Sequence, residues 1–273
     1  MKNILKIELT RALKSKTMLL SLIIGTLITL SHVLIYIIPV SNFIDQALSY
    51  NKAMYSVPSV FAGWIGNAGY SMQSFLFYML LPILVTIPFG DSFFADNKSG
   101  YIKNVLIRVK KKKYYLSKYI ATFISGGLVI VIPLLINLIV SSMFLPSHLP
   151  QVISGYPIGA ASMWSKIFYT HPYVYIFSYL LIDFIFSGLI ATIALSISLI
   201  SEYRFSVVFM PFLIYLFIYS ILSSLGLSKF VPFYFLQFGY GMSSFITIVI
   251  QGLILAAITS TTFLIKGVKE DIY

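Results

Sequence analysis

The chain has no cysteine, three histidines and only eight acidic residues among 273. Without cysteine there are no disulfides, no thiol nucleophiles and no thiolate metal sites. The histidines, at 32, 148 and 171, never form H-E-x-x-H, the spacing that puts two zinc ligands on one helix face. Only one acidic residue, Asp183, lies deep in an apolar run, whereas an intramembrane aspartyl protease needs two carboxylates. No serine pairs with a histidine at depth in the way a serine enzyme requires. The loop G-x-x-x-x-G-K-[ST], whose amides and lysine cradle nucleotide phosphates, is missing, and there is no Gly-Lys pair at all. The chain is therefore not read as an enzyme, and any ATP-driven work would need a separate ATPase.

What the chain has in abundance is apolar length. Hydrophobic residues make up 59% and charged residues 10%, too little polar surface for a soluble domain of this size. Six stretches, about 17–40, 72–90, 118–145, 173–200, 205–226 and 243–265, are long and apolar. A hydrocarbon core of roughly 30 Å asks for about 20 such residues in a helix. None alternates with period two, so helices rather than barrel strands satisfy the backbone. With the N-terminus inside, segments 1–16, 91–117, 201–204 and 266–273, plus Lys118, hold sixteen of the nineteen Lys and Arg. Lys52, Lys166 and Lys229 remain outside. Because cationic loops are retained in the cytoplasm, the asymmetry predicts both termini there. The expected fold is one all-α membrane domain over residues 1–273, with six transmembrane helices. The net charge of +11 follows this topology and faces anionic head groups, so nucleic acid is not expected as a partner. The first run, about 24 residues with no small-residue cleavage site after it, reads as a retained span.

Residues 2–16 read as an amphipathic interfacial helix. Ile4, Leu5, Leu9, Ala12 and Leu13 lie near one face, with Lys2, Lys6, Arg11 and Lys14 opposite. In the outside segments Trp64 is expected as an interface anchor. Between the fourth and fifth spans only residues 201–204 intervene, which makes those helices antiparallel neighbours. Gly188, Thr192 and Ser196 form a groove of small side chains on the fourth span, where another helix can approach closely, in this chain or in a second protomer.

The longest inside segment, DSFFADNKSGYIKNVLIRVKKKKYYLSK at 91–118, starts acidic at Asp91 and Asp96, passes Gly100, and ends in four lysines and a Ser-Lys. Ile102, Val105, Leu106 and Val109 form one apolar stripe, suited to docking in a groove of a soluble partner. A solvated basic loop on anionic lipid is the plainer reading.

The order of these parts resembles the ABC transporter type-2 permease family. That family has an N-terminal amphipathic helix ending in basic residues and six spans. Its inside loop runs from an acidic residue through Gly-Thr, a Lys and an apolar helix to a basic turn and Ser-Lys. Asp96, Gly100, Lys103, Val105, Leu106, Lys113, Ser117 and Lys118 stand in the corresponding order, as do Glu8, Arg11, Lys14 and Lys16 at the start. Tyr101 departs where Thr is usual, and the lysine run is unbroken. The resemblance covers the whole chain as architecture and about forty residues as motif. It implies an exporter subunit that binds no cofactor itself. Separate cytoplasmic ATPases would hold ATP and Mg, and a second permease would complete a homodimer or heterodimer. Residues 2–16 would be the elbow helix, with Glu8, Arg11 and Lys14. Asp91, Asp96, Gly100, Lys103, Leu106, Lys113 and Lys118 would form the ATPase-coupling loop.

Within the spans, Asp183, Asn137 and Gln251 are the candidate translocation-path residues. A midplane carboxylate is costly and turns toward protein or a wet cavity. The low-charge, aromatic spans favour an amphiphilic substrate: a hydrophobic peptide, a lipid-like molecule or a drug. Self-protection against such a molecule is a variant of the same reading. The competing classes are an ion-coupled carrier that works without ATP and a membrane scaffold or sensor.

Overall fold

The structure is a computed structural model that describes residues 2–42, 59–67, 71–150, 158–159, 162–240 and 243–267. No strand occurs among them. The helices are α1 (Lys2–Leu13), α2 (Lys16–His32), α3 (Val60–Gly63), α4 (Met72–Thr86), α5 (Ser92–Lys98) and α6 (Tyr101–Leu106). They continue with α7 (Lys111–Phe144), α8 (Ser165–Thr170), α9 (Pro172–Ile197), α10 (Arg204–Ser224), α11 (Pro232–Phe235) and α12 (Phe245–Ser260). Wider π turns carry α2 on to Asn42 and α12 on through Lys266. The expected 266–273 segment lies outside the described residues beyond Gly267.

Five helical stretches are long and apolar enough to cross a membrane: Lys16–Asn42, Lys111–Phe144, Pro172–Ile197, Arg204–Ser224 and Phe245–Ile265. The chain is a multi-pass helical membrane protein. The second apolar run differs from the expected 72–90. Its helix has 15 residues, about 22 Å of rise, and gives way to turns at 87–91. Pro88 accounts for the stop, because it has no N–H to donate to the Leu84 carbonyl, while Ile87 before it keeps αR angles. Upstream, Pro82 has no N–H for the Tyr78 carbonyl. The Tyr215 hydroxyl of α10 donates to that carbonyl at 3.2 Å, so a neighbouring helix supplies the missing bond.

The helix of the third apolar run, α7, begins at Lys111, two turns before the expected 118. Its 34 residues rise about 51 Å. The lysine run therefore belongs to a helix that extends well past its apolar stretch.

α7 is the central pillar, packed by α1, α2, α4 and α9. The contact with α9 is close because both sides are small. A Cβ built on Gly188 would stand 2.6 Å from the Phe123 carbonyl oxygen. The small-residue groove of the fourth span is thus divided within the chain. Gly188 meets α7, while Ser196 accepts a hydrogen bond from Thr262, just beyond α12, at 2.7 Å. α10 and α12 are thinly covered, with Leu213, Phe217, Leu253 and Ile254 exposed.

Trp64 is not an interface anchor. It is buried, and its indole N–H donates to the Leu134 carbonyl at 3.1 Å. His32 is also buried, beside Asn137.

Candidate functional site

The charged residues singled out in two distant parts of the sequence meet at the basic end of the bundle. On α1, Ile4, Glu8 and Ala12 fall at i, i+4 and i+8 and form the buried face. Glu8 is therefore carried inward by its apolar neighbours. On α7, Tyr114 and Lys118 are one turn apart on the buried face. α5 brings Asp96 between them.

The Lys118 ammonium, fully buried, lies 2.6 Å from Asp96 Oδ2 and 2.8 Å from Glu8 Oε2. Arg11 forks onto Asp96, Nη2 to Oδ1 at 2.6 Å and Nη1 to Oδ2 at 3.0 Å, and reaches Glu8 Oε1 at 3.1 Å. The Tyr114 hydroxyl donates to Asp96 Oδ2 at 2.8 Å. Phe89 lies under the Lys118 ammonium, 4.7 Å from its ring centroid, and Tyr101 is 4.8 Å from the Arg11 guanidinium. Two acids and two bases thus neutralise one another inside a partly aromatic shell. Such a group holds together only when every charge is answered, because desolvation of each ion costs several kcal/mol.

Burial alone would raise the Asp96 carboxyl, but the Arg11 hydrogen bond and the Lys118 charge outweigh it and hold it below its usual 3.8. The same hydrogen bond, opposed by burial, raises Arg11 above its ordinary value.

The loop is fastened at a second point, where Arg204 at the start of α10 pairs with Asp91. Between the fastenings, Phe93 packs with Tyr115 and Phe263 at centroid distances of 5.1–5.3 Å. Gly100 turns the chain from α5 into α6 at φ +72°, a left-handed conformation that glycine adopts without strain.

The apolar stripe of 102–109 faces the other way from the docking expectation. Ile102 is buried, and Val105, Leu106 and Val109 pack beside it against the chain's own aromatic cluster. The cause is that neighbouring cluster, which offers a dry partner inside the fold. Lys103, Asn104, Ile107 and Arg108 point outward instead. Lys113 and Lys14 are also exposed.

The three span residues are not brought together. Asn137 ties helices: its amide donates to the Thr29 carbonyl at 2.7 Å and its oxygen accepts from the Ile65 N–H at 3.3 Å. Gln251 lines an apolar groove of about 410 Å³ between α9, α10 and α12. Asp183 is completely buried, and Oδ2 accepts from the Tyr78 hydroxyl at 3.3 Å.

Sequence reasoning missed Tyr114, Phe89 and Arg204. For Tyr114 a signal existed, since it stands four residues before Lys118 and shares its helix face.

Comparison with family models, with curated proteins and with solved structures gives no match to this chain.

Proposed function

We propose that this chain is the membrane-spanning permease subunit of an ABC-type exporter in the cell membrane. In this reading both termini are cytoplasmic, α1 is an elbow helix in the inner interface, and α4 with its following turns serves as a sixth span. Separate ATPases dock beneath the 91–117 loop, a second permease subunit completes the pathway, and an amphiphile is moved outward or kept away from the cell that carries it. The observation that supports this most is the Glu8–Arg11–Asp96–Lys118 network. It makes the N-terminal helix, the loop and the central helix one mechanical unit, which is what transmission of a movement from a partner into the spans requires. Asp183, a lone buried carboxylate, supports the ion-coupled carrier as the second reading.

The test is affinity purification of the tagged chain from gently solubilised membranes, with mass spectrometry and an ATPase assay. The permease reading expects a stoichiometric ATPase. Ile107→Asp, on the outward face of the loop, should lose that partner while insertion persists. Leu106 packs inward, so its substitution examines the fold and not docking. A chain that purifies alone and hydrolyses nothing would overturn the reading in favour of a carrier or scaffold.

A further inference from the structure

At the end of the bundle away from the ion network, the connection between α10 and α12 folds over a cavity of about 230 Å³. Tyr179 of α9, Tyr234 and Tyr240 wall it, together with Gln237 and the hydroxyls of Ser228 and Ser243. Tyr234 and Tyr240 meet edge to face, their centroids 4.9 Å apart, and Tyr219 braces Tyr234 at 5.7 Å. Aromatic faces carry the negative part of the ring quadrupole and attract cations, alkylated ammonium groups among them. No charged side chain lines the cavity among the described residues. The lysine of this connection, Lys229, sits over the Phe230 ring at 5.0 Å from its centroid.

Next to Tyr179 on α9 lies a buried carboxyl group with an unmet oxygen. Tyr179 is one helical turn from Asp183, about 6 Å along the axis of α9. Asp183 Oδ2 accepts from Tyr78, but Oδ1 has no hydrogen-bond partner. An ionised carboxyl at that depth is costly without a counter-charge, and a cation held by the tyrosines would let Asp183 ionise. The apolar groove of about 410 Å³ begins on the same connection, at Phe230 and Pro232, and runs down past Ile254 and Ile258. Alternate residues of one connection thus line the two spaces, Ser228 and Tyr234 the cavity and Phe230 and Pro232 the groove.

We propose that the cavity binds the ammonium head of an amphiphile, with Tyr234, Tyr240 and Tyr179 around the head, Asp183 as counter-charge and the tail along the groove. The site rests on this geometry and needs no ATPase. The head could belong to a membrane lipid or to a free cationic amphiphile.

The experiment is equilibrium binding of radiolabelled dodecyltrimethylammonium to the full chain in maltoside micelles. Saturable binding to one site is expected, weakened about tenfold or more by Tyr240→Leu and by Asp183→Asn. Tyr240→Phe keeps the ring and should stay within about threefold. Asp183→Asn keeps the side-chain shape, so the test survives if Tyr240→Leu fails to fold. Unsaturable binding, equal affinity in all variants, or equal competition by uncharged dodecanol would overturn the proposal. Nanodiscs then identify the source. Displacement of the probe by phosphatidylethanolamine, but not by phosphatidylglycerol, assigns the head to a lipid, whereas retention with both assigns a free amphiphile.

Discussion

The buried network at the basic end and the buried carboxyl group of Asp183 are built on opposite terms. At the basic end, Glu8, Arg11, Asp96 and Lys118 cancel one another, and Tyr114 adds a hydrogen bond to the most crowded oxygen. In the middle, Asp183 stands with one tyrosine hydroxyl and an oxygen that nothing meets. The first arrangement is closed and fixes three elements in one geometry. The second is open, and an open carboxyl group inside a membrane helix is what a ligand or a proton can act on. Burial by itself therefore does not distinguish structural from functional charge in this chain. In the proposed head site, the incomplete partner set is what separates Asp183 from the closed group.

The largest expected effect comes from breaking the closed group. Lys118→Met leaves Glu8 and Asp96 sharing Arg11 and should cost about 3–5 kcal/mol, the usual loss when one member of a buried pair is removed. Thermal unfolding of the purified chain in detergent checks it, and adding Glu8→Gln should recover part of the loss. An unchanged midpoint for Lys118→Met would show that the network fastens nothing. Acid is the second way to break it. The Asp96 carboxyl is held below 3.8, so its contribution to stability is present above that value and is lost as pH falls through the lower, folded-state value. Protection of α1 amides in hydrogen exchange should fall there, and the Asp96→Asn variant should not show that step.

Asp183→Asn sharpens the comparison from the other side. It replaces a buried carboxyl group that has one partner, so the unfolding midpoint should hold or rise, in contrast to Lys118→Met. A large drop would place Asp183 among the structural charges. The smallest effect is expected from Arg204→Gln, because the Arg204 side chain is 66% exposed. Exposed pairs contribute about 0–1 kcal/mol, and a midpoint shift of more than a few degrees would contradict that.

Much of the helical architecture was legible in the sequence, because apolar span length is a property of single segments. Five of the six apolar runs are full-length helices, with ends close to those expected in four of them. α7 starts early because Lys111–Lys113 are good helix formers with nothing to stop them. α4 stops early because Pro88 ends it. The candidate site was legible residue by residue but not as a site. Glu8, Arg11, Asp96 and Lys118 each stood out, yet nothing local says that residues so far apart will meet. The orientation of the 102–109 stripe was illegible for the same reason. Periodicity identifies an apolar face, and only the tertiary neighbours Tyr115 and Phe263 decide which way it turns. Trp64 was misjudged because an indole N–H is as well served by a carbonyl as by a head group.

The contact between Glu8 and Lys118 also has a consequence for biogenesis. The ribosome makes α1 first, but the ammonium that answers Glu8 is synthesised more than a hundred residues later. Until α7 emerges, α1 lacks its main packing partner in the bundle. A nascent chain stalled before Lys118 therefore holds Glu8 through Arg11 alone, without the buried ammonium that completes the network.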